Sequence, residues 1–193
     1  TAAMIEPLTP ERQEFLAVMG LADEFSAAMA EFVTGNAKTA SILQDLTNQN
    51  AFVTRLPDTK IYRFHHMMKE CALRRFLTLP EEKQTAYWNR YGQWYGEQKQ
   101  YLHALSAYGR SGNNDAALEI VERDAGDLLS NLHPEELLSR LNACPPEVLM
   151  RHPTAILVLM RRMFTWRQIS KMLELKALLE RAIEENPAID EKE

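Results

Sequence analysis

Two adjacent histidines, His65 and His66, followed by Glu70, form the only group in this 193-residue chain whose types could do acid–base or metal chemistry. His66 and Glu70 are four residues apart, so on a helix they share one face. A metal would need a third and a fourth ligand within similar reach. His103, His133 and His152 lie far off along the chain. A histidine pair at a helix start, near the positive end of the helix dipole, is the simpler reading. Nucleophile chemistry finds less support: there is no GxSxG, and Cys71 and Cys144 sit in Leu-rich helical patterns without neighbours patterned to stabilise a thiolate. Neither GxxxxGK[ST] nor GxGxxG occurs, so the chain has no phosphate cradle of its own. It is expected to carry no reaction and no cofactor. One other group stands out: Tyr87, Trp88, Tyr91, Trp94 and Tyr95 spread aromatic rings over two faces of a helix. Such rings either pack neighbouring units together or line a groove for a ligand or peptide.

The elements that hold these residues are mostly short helices. Thr9 reads as an N-cap, with Pro10 at the first helical position and Glu11 in the first turn; Phe15, Leu16 and Met19 form the apolar stripe, and Gly20 ends it. Ser26 caps a second helix that stops at Thr34-Gly35-Asn36. A third runs from about Lys38 to Asn50, with Ile42, Leu43 and Leu46 on one face. AFVTRL, PDTK and IYRF then read as two short strands around a Pro-Asp turn. The helix after them, HHMMKECALRRFLTL, offers Met67, Cys71 and Phe76 as inward residues. Three helices and a small hairpin are the order of a winged-helix domain, placed over residues 1–79.

From Pro80 the texture changes, and residues 80–193 read as helical hairpins of tetratricopeptide type. From Trp88 to Ala125 an aromatic-rich helix is followed by one with Ala104 and Ala107 and by an Ala116-Ala117 start, a pattern that lets helices approach closely. DAGDLLSNL, HPEELLSRLNAC and PPEVLMRHP follow, with a second helical pair around 135–162. A long helical run is expected from Thr154 to Glu185, stopped by Asn186-Pro187, and a frayed tail, AIDEKE.

Composition agrees with a mainly α chain: 47 residues are Leu or Ala against 14 Val or Ile, and only 7 are Gly. That bias excludes an all-β sandwich or a glycine-rich nucleotide fold. The net charge of −5 gives no overall drive toward phosphate backbones. Residues 1–79 hold 8 Lys or Arg against 9 Asp or Glu. The third helix offers Gln44, Asn48 and Gln49, but its charges are only Lys38 and Asp45, too few cations for a major-groove reader. The group Arg161, Arg162, Arg167 and Lys171 reads as a solvated helix face. No apolar run approaches the ~18 residues of a membrane span, and TAAMIEPLTP, without an apolar core, is not expected to act as a signal peptide. The two cysteines read as reduced thiols, and the location expected is the cytoplasm.

The order of these segments resembles the middle of the large ATP-dependent LuxR-type transcriptional regulators of the MalT group, which belong to the signal-transduction ATPases with numerous domains. LTPERQEFL, DEFSAAMAEFVTG, ILQDLTNQNAFVTRL, YRFHHMMKECALRRFL, WYGEQKQYLHALSAYGRSGNNDAALEIV and LLSRLNACPPEVLMRHPTAILV carry the likeness, up to about residue 165. The stretch MFTWRQISKMLELK lacks the Gly and Ala spacing of a further repeat. The resemblance implies a winged helix and first helical repeats, working with the regulator's own nucleotide-binding and sensor domains. ATP or ADP would be bound by the full-length protein. DNA would be met only through a separate C-terminal domain, and the effector is a small molecule or a protein. It also implies a role for His65, in Tyr62-Arg63-Phe64-His65: contacting ADP phosphates in the resting state. A free-standing repeat scaffold that binds a peptide through the Tyr/Trp face is the other reading.

Overall fold

The computed structural model describes residues 8–48, 53–124 and 132–186. These contain eleven helices and a three-stranded antiparallel sheet, and they divide into two compact units, residues 1–94 and 95–193.

In the first unit the local signals act as the sequence suggests. Thr9 Oγ1 accepts from the Arg12 N–H at the start of α1 (Pro10–Met19). Ser26 Oγ accepts from Met29 N–H at 3.1 Å to start α2 (Ala27–Thr34). Gly35 ends α2 at φ 68°, in the left-handed region where a Cβ is costly. At α3 (Thr39–Asn48) Ile42, Leu43 and Leu46 are buried as expected, and residues 49 and 50 lie outside the described residues. In α1 the apolar stripe widens to every residue from Phe15 to Met19. Gly20 follows with ordinary helical angles; what it supplies is space, since a Cβ there would lie 2.2 Å from the Ala72 Cβ.

The expected ribbon is present as β2 (Val53–Arg55) and β3 (Ile61–Phe64), joined by a turn in which Asp58 adopts φ 56°. A third strand joins it. β1 (Glu24–Ser26) pairs with the other edge of β3, giving the order β1-β3-β2 with Phe25 opposite Tyr62 and Thr54 opposite Arg63. Three residues are too few for an alternation to show in sequence, and Ser26 serves both as strand end and helix cap. The Phe25 ring stacks on Tyr62 at 5.9 Å and meets Phe64 at 5.5 Å, so the sheet is fastened by aromatic cross-strand contacts.

α4 (His66–Phe76) buries Met68, Ala72 and Phe76, a strict four-residue spacing. Met67, expected inside, is 65% exposed, because one position along a helix turns the side chain by about 100°. Cys71 is half-buried and free, as is Cys144. α5 (Glu81–Glu97) starts just after Pro80, where the texture changes, yet its residues up to Trp94 belong to the first compact unit.

The second unit follows with α6 (Tyr101–Ser111), α7 (Asn114–Asp124), α8 (Pro134–Ala143), α9 (Pro146–Met150), α10 (Pro153–Thr165) and α11 (Ile169–Glu185). Ala104, Leu105, Leu118, Ile120, Leu137, Ile156, Leu159 and Met163 belong to its continuous core. Gly112 ends α6 in the left-handed region at φ 70°. The run expected as one helix from Thr154 to Glu185 is two helices, broken at Trp166–Gln168, with Arg167 at φ 58°. No glycine marks that turn, which is why composition did not reveal it. MFTWRQISKMLELK, unlike a further repeat in its Gly and Ala spacing, thus forms a helical hairpin. Most of DAGDLLSNL and the tail AIDEKE lie outside the described residues.

Candidate functional site

The junction of β3 and α4 presents the histidine pair. Phe64, the last residue of β3, is buried against Phe25 and fixes where the strand stops. His65 follows in an extended conformation as the N-cap of α4, its carbonyl accepting from Met68 N–H at 2.8 Å and Lys69 N–H at 3.1 Å. Met68 is buried one turn on, so strand and helix both hold the backbone between them. The His65 side chain makes no capping hydrogen bond, and the rings of His65 and His66 are exposed. The pair therefore stands at the positive end of a three-turn helix on a rigid corner, free to meet an anion. Arg63 pairs with Glu24, and Lys69 with Asp23, so two nearby cations are already held by carboxylates. Glu70 is exposed, and among the described residues no group of three or more His, Cys, Asp or Glu is arranged to hold a metal ion.

The aromatic group is divided between the two units. Tyr91 is 1% exposed, and its hydroxyl donates to the Val18 carbonyl at 2.8 Å. Trp88 meets Phe76 edge-on at 5.7 Å, and Trp94 meets Phe32 at 5.5 Å. The Tyr87 hydroxyl donates to Glu14 Oε1 at 2.7 Å, beside Lys83 Nζ at 2.8 Å. Burial alone would raise the Glu14 carboxyl. The hydrogen bonds from Lys83 and Tyr87 and the charges of Lys83 and Arg75 outweigh it and hold the group below its ordinary value. Burial, then the bond to Glu14, pushes the Tyr87 phenol well up. These rings lock α5 onto α1, α2 and α4. Tyr95 belongs to the second unit, its ring 5.1 Å from that of His103.

Sequence reasoning missed a polar cluster in the second unit. His152 Nε2 lies 3.1 Å from Asp115 Oδ1 and its Nδ1 lies 3.3 Å from Glu122 Oε1. Arg151 Nη2 meets both Asp115 oxygens at 2.8 Å. The four residues come from two separate stretches, and the seven-residue spacing of Asp115 and Glu122 on α7 was the only signal in sequence. Cys144 is nearby, and burial and then the Asp115 charge raise its thiol against the pull of Arg151, the opposite of what a nucleophile needs.

Residues 1–85 match the family model described as the MalT winged helix domain. Neither the curated proteins nor the solved structures offer a match to the chain. Residues 1–85 are thus similar to a MalT winged helix domain, and the described helices and ribbon within them come in the winged-helix order. No described helix is long and apolar enough to cross a membrane.

Proposed function

We propose, on the premise that residues 1–85 are a MalT-like winged helix, that the chain is a signal-coupling segment of a nucleotide-switched, LuxR-type transcriptional regulator working in the cytoplasm. It performs no reaction itself. Its winged helix docks on the regulator's nucleotide-binding domain in the resting state and changes that docking when the nucleotide changes. The helical hairpins from α5 onward are tetratricopeptide-like repeats that pass the change to a sensor region, whose effector is a small molecule or a protein. DNA is met by a separate C-terminal domain.

The observation that carries this reading is His65, exposed at the N-cap of α4 with no capping bond of its own, inside a segment matched by the MalT winged-helix model. An imidazole N–H there, next to helix N–H groups, suits an ADP phosphate oxygen. His66, one residue on, points about 100° round the helix and is not positioned for the same contact. The peptide-scaffold alternative would need Tyr91 and Trp94 to leave the contacts that hold α5 in place.

The test is ADP dissociation and reporter output in the full-length regulator. His65→Ala should speed ADP release and raise basal output. A hydrogen bond to a charged group worth ~1.5–3 kcal/mol moves the resting balance by roughly 10- to 150-fold. His66→Ala should do much less. Wild-type behaviour of His65→Ala, or a larger effect of His66→Ala, would refute the assignment of His65.

A further inference from the structure

α10 begins on a cap borrowed from another helix. Its N-cap residue, His152, makes no side-chain capping bond, and Pro153 at the first helical position brings no N–H. The cap comes from α7, where Glu122 Oε1 accepts from the Ala155 N–H at 3.4 Å in the first turn of α10. The same Glu122 oxygen lies 3.3 Å from His152 Nδ1, and Asp115 Oδ1 lies 3.1 Å from His152 Nε2. Asp115 and Glu122 share a face of α7, so one imidazole reaches both. The His152 side chain is only 12% exposed, which leaves little room for water to replace either partner.

A neutral imidazole has one N–H and one lone pair, whereas imidazolium has two N–H groups. Whichever nitrogen keeps the proton, the neutral ring turns a lone pair toward one carboxylate oxygen; the charged ring can donate to both. The balance of charge agrees. Arg151, at the end of α9, donates to both Asp115 oxygens at 2.8 Å. With the ring charged, two cations face two carboxylates, and with the ring neutral Arg151 faces them alone. The other groups around the junction are accounted for elsewhere. Glu119 and Arg123 of α7 act on Tyr108 of α6, and Glu147 of α9 is exposed. Burial, then the Asp115 charge, raises the Cys144 thiol at the end of α8 and keeps it neutral. On α11, packed along α10, Lys176 pairs with Glu180 and Arg181 with Glu185.

We propose that His152 is a proton-operated latch between α7 and α10: as imidazolium it holds Asp115 and Glu122 at once and keeps Glu122 over the first turn of α10, and on losing its proton it releases one of them. Histidine is the side chain type that changes charge between pH 5 and 8, so the packing of α10 on α7 answers to pH near neutrality. The charged form sets the sign. The latch is closed once both carboxylates are ionised, and it opens as the pH rises through the titration of the ring.

Nitrogen-15 NMR of the whole chain tests this without any substitution. The ring titration is read from the Nδ1 and Nε2 signals of His152. Across it, hydrogen-exchange protection, corrected for the intrinsic rate at each pH, is followed at Ala155 and at Ile156, whose N–H donates to the His152 carbonyl at 3.0 Å. Protection of both should fall about tenfold as the ring loses its proton, the effect of losing a bond to a charged group. Leu43, in the core of the first unit, should keep its protection. Asp115→Asn and Glu122→Gln should each weaken the proton affinity of the ring about two- to fivefold, and His152→Gln should leave the protection of α10 flat over the same pH range. Constant protection of Ala155 and Ile156 through the wild-type titration overturns the proposal. A ring titration that neither carboxamide variant moves overturns it too.

Discussion

Gly20 shows how much one missing methyl group can decide. Its angles are those any residue adopts, but the Ala72 Cβ stands 2.2 Å from where its own Cβ would be. That Cβ is not the end of a flexible side chain, so Gly20→Ala must push α1 and α4 apart. The expected cost is about 1–3 kcal/mol of overpacking, read as a lower midpoint in urea. Glu14 sets a pH dependence. Its carboxyl is held below the ordinary value of 4.5 by Lys83 and Tyr87 despite its partial burial. A depressed carboxylate contributes stability above that value and loses it as the pH falls below it. Glu14→Gln should therefore flatten the loss of stability on acidification, while stability near neutral pH falls slightly. An acid limb as steep as wild type in chemical denaturation would contradict this. Neither residue's part was legible beforehand. Gly20 reads as a helix stop in sequence, and Glu14 meets Lys83 and Tyr87 across some seventy positions.

At the scale of elements, what was legible is what the chain decides locally. Thr9, Ser26 and Gly35 each act within three or four residues of themselves, and all three end or begin helices where their types imply. Elements defined by distant partners were not legible. β1 exists because Glu24–Ser26 finds the free edge of β3, and the turn at Arg167 exists because α11 folds back on α10. The histidine corner lies between the two cases. Its position after IYRF is local, but its exposure depends on Met68 rather than Met67 facing inward. The start of α10 depends on distant partners too, tied to α7 by Arg151 and His152 on Asp115. The bond from Arg151, first of all, holds the Asp115 carboxyl below its ordinary value. Asp115→Asn should cost about 0.2–1 kcal/mol, the range of exposed ion pairs. The difference from wild type should be present at neutral pH and disappear as the pH falls below that ordinary value of 3.8. A difference that persists in acid would point to packing rather than charge.

The whole molecule carries a net charge of −5, and that bears on what a winged helix here can do. A DNA-reading winged helix gains most of its affinity from cations that displace counterions from phosphates. In this chain α3 holds a single charge, Asp45, already paired with Arg12 of α1, and Lys38 lies just before it. On the hairpin Arg55 donates to the Thr59 carbonyl and Arg63 is paired with Glu24. The fold is thus a winged helix whose usual reading helix is close to neutral, which suits docking on protein better than on duplex. The chain alone should give no retarded band with duplex DNA at low salt, where any electrostatic affinity is greatest. It should also give no heat with ATP or ADP in calorimetry, because His65 can offer a nucleotide one contact and the chain has no loop to cradle its phosphates. Micromolar binding of DNA that weakens steeply with salt would show that the few hairpin cations suffice to hold phosphates. Micromolar binding of ADP that His65→Ala abolishes would move the nucleotide site into this chain. Either result would overturn the proposal that this segment couples while other domains bind.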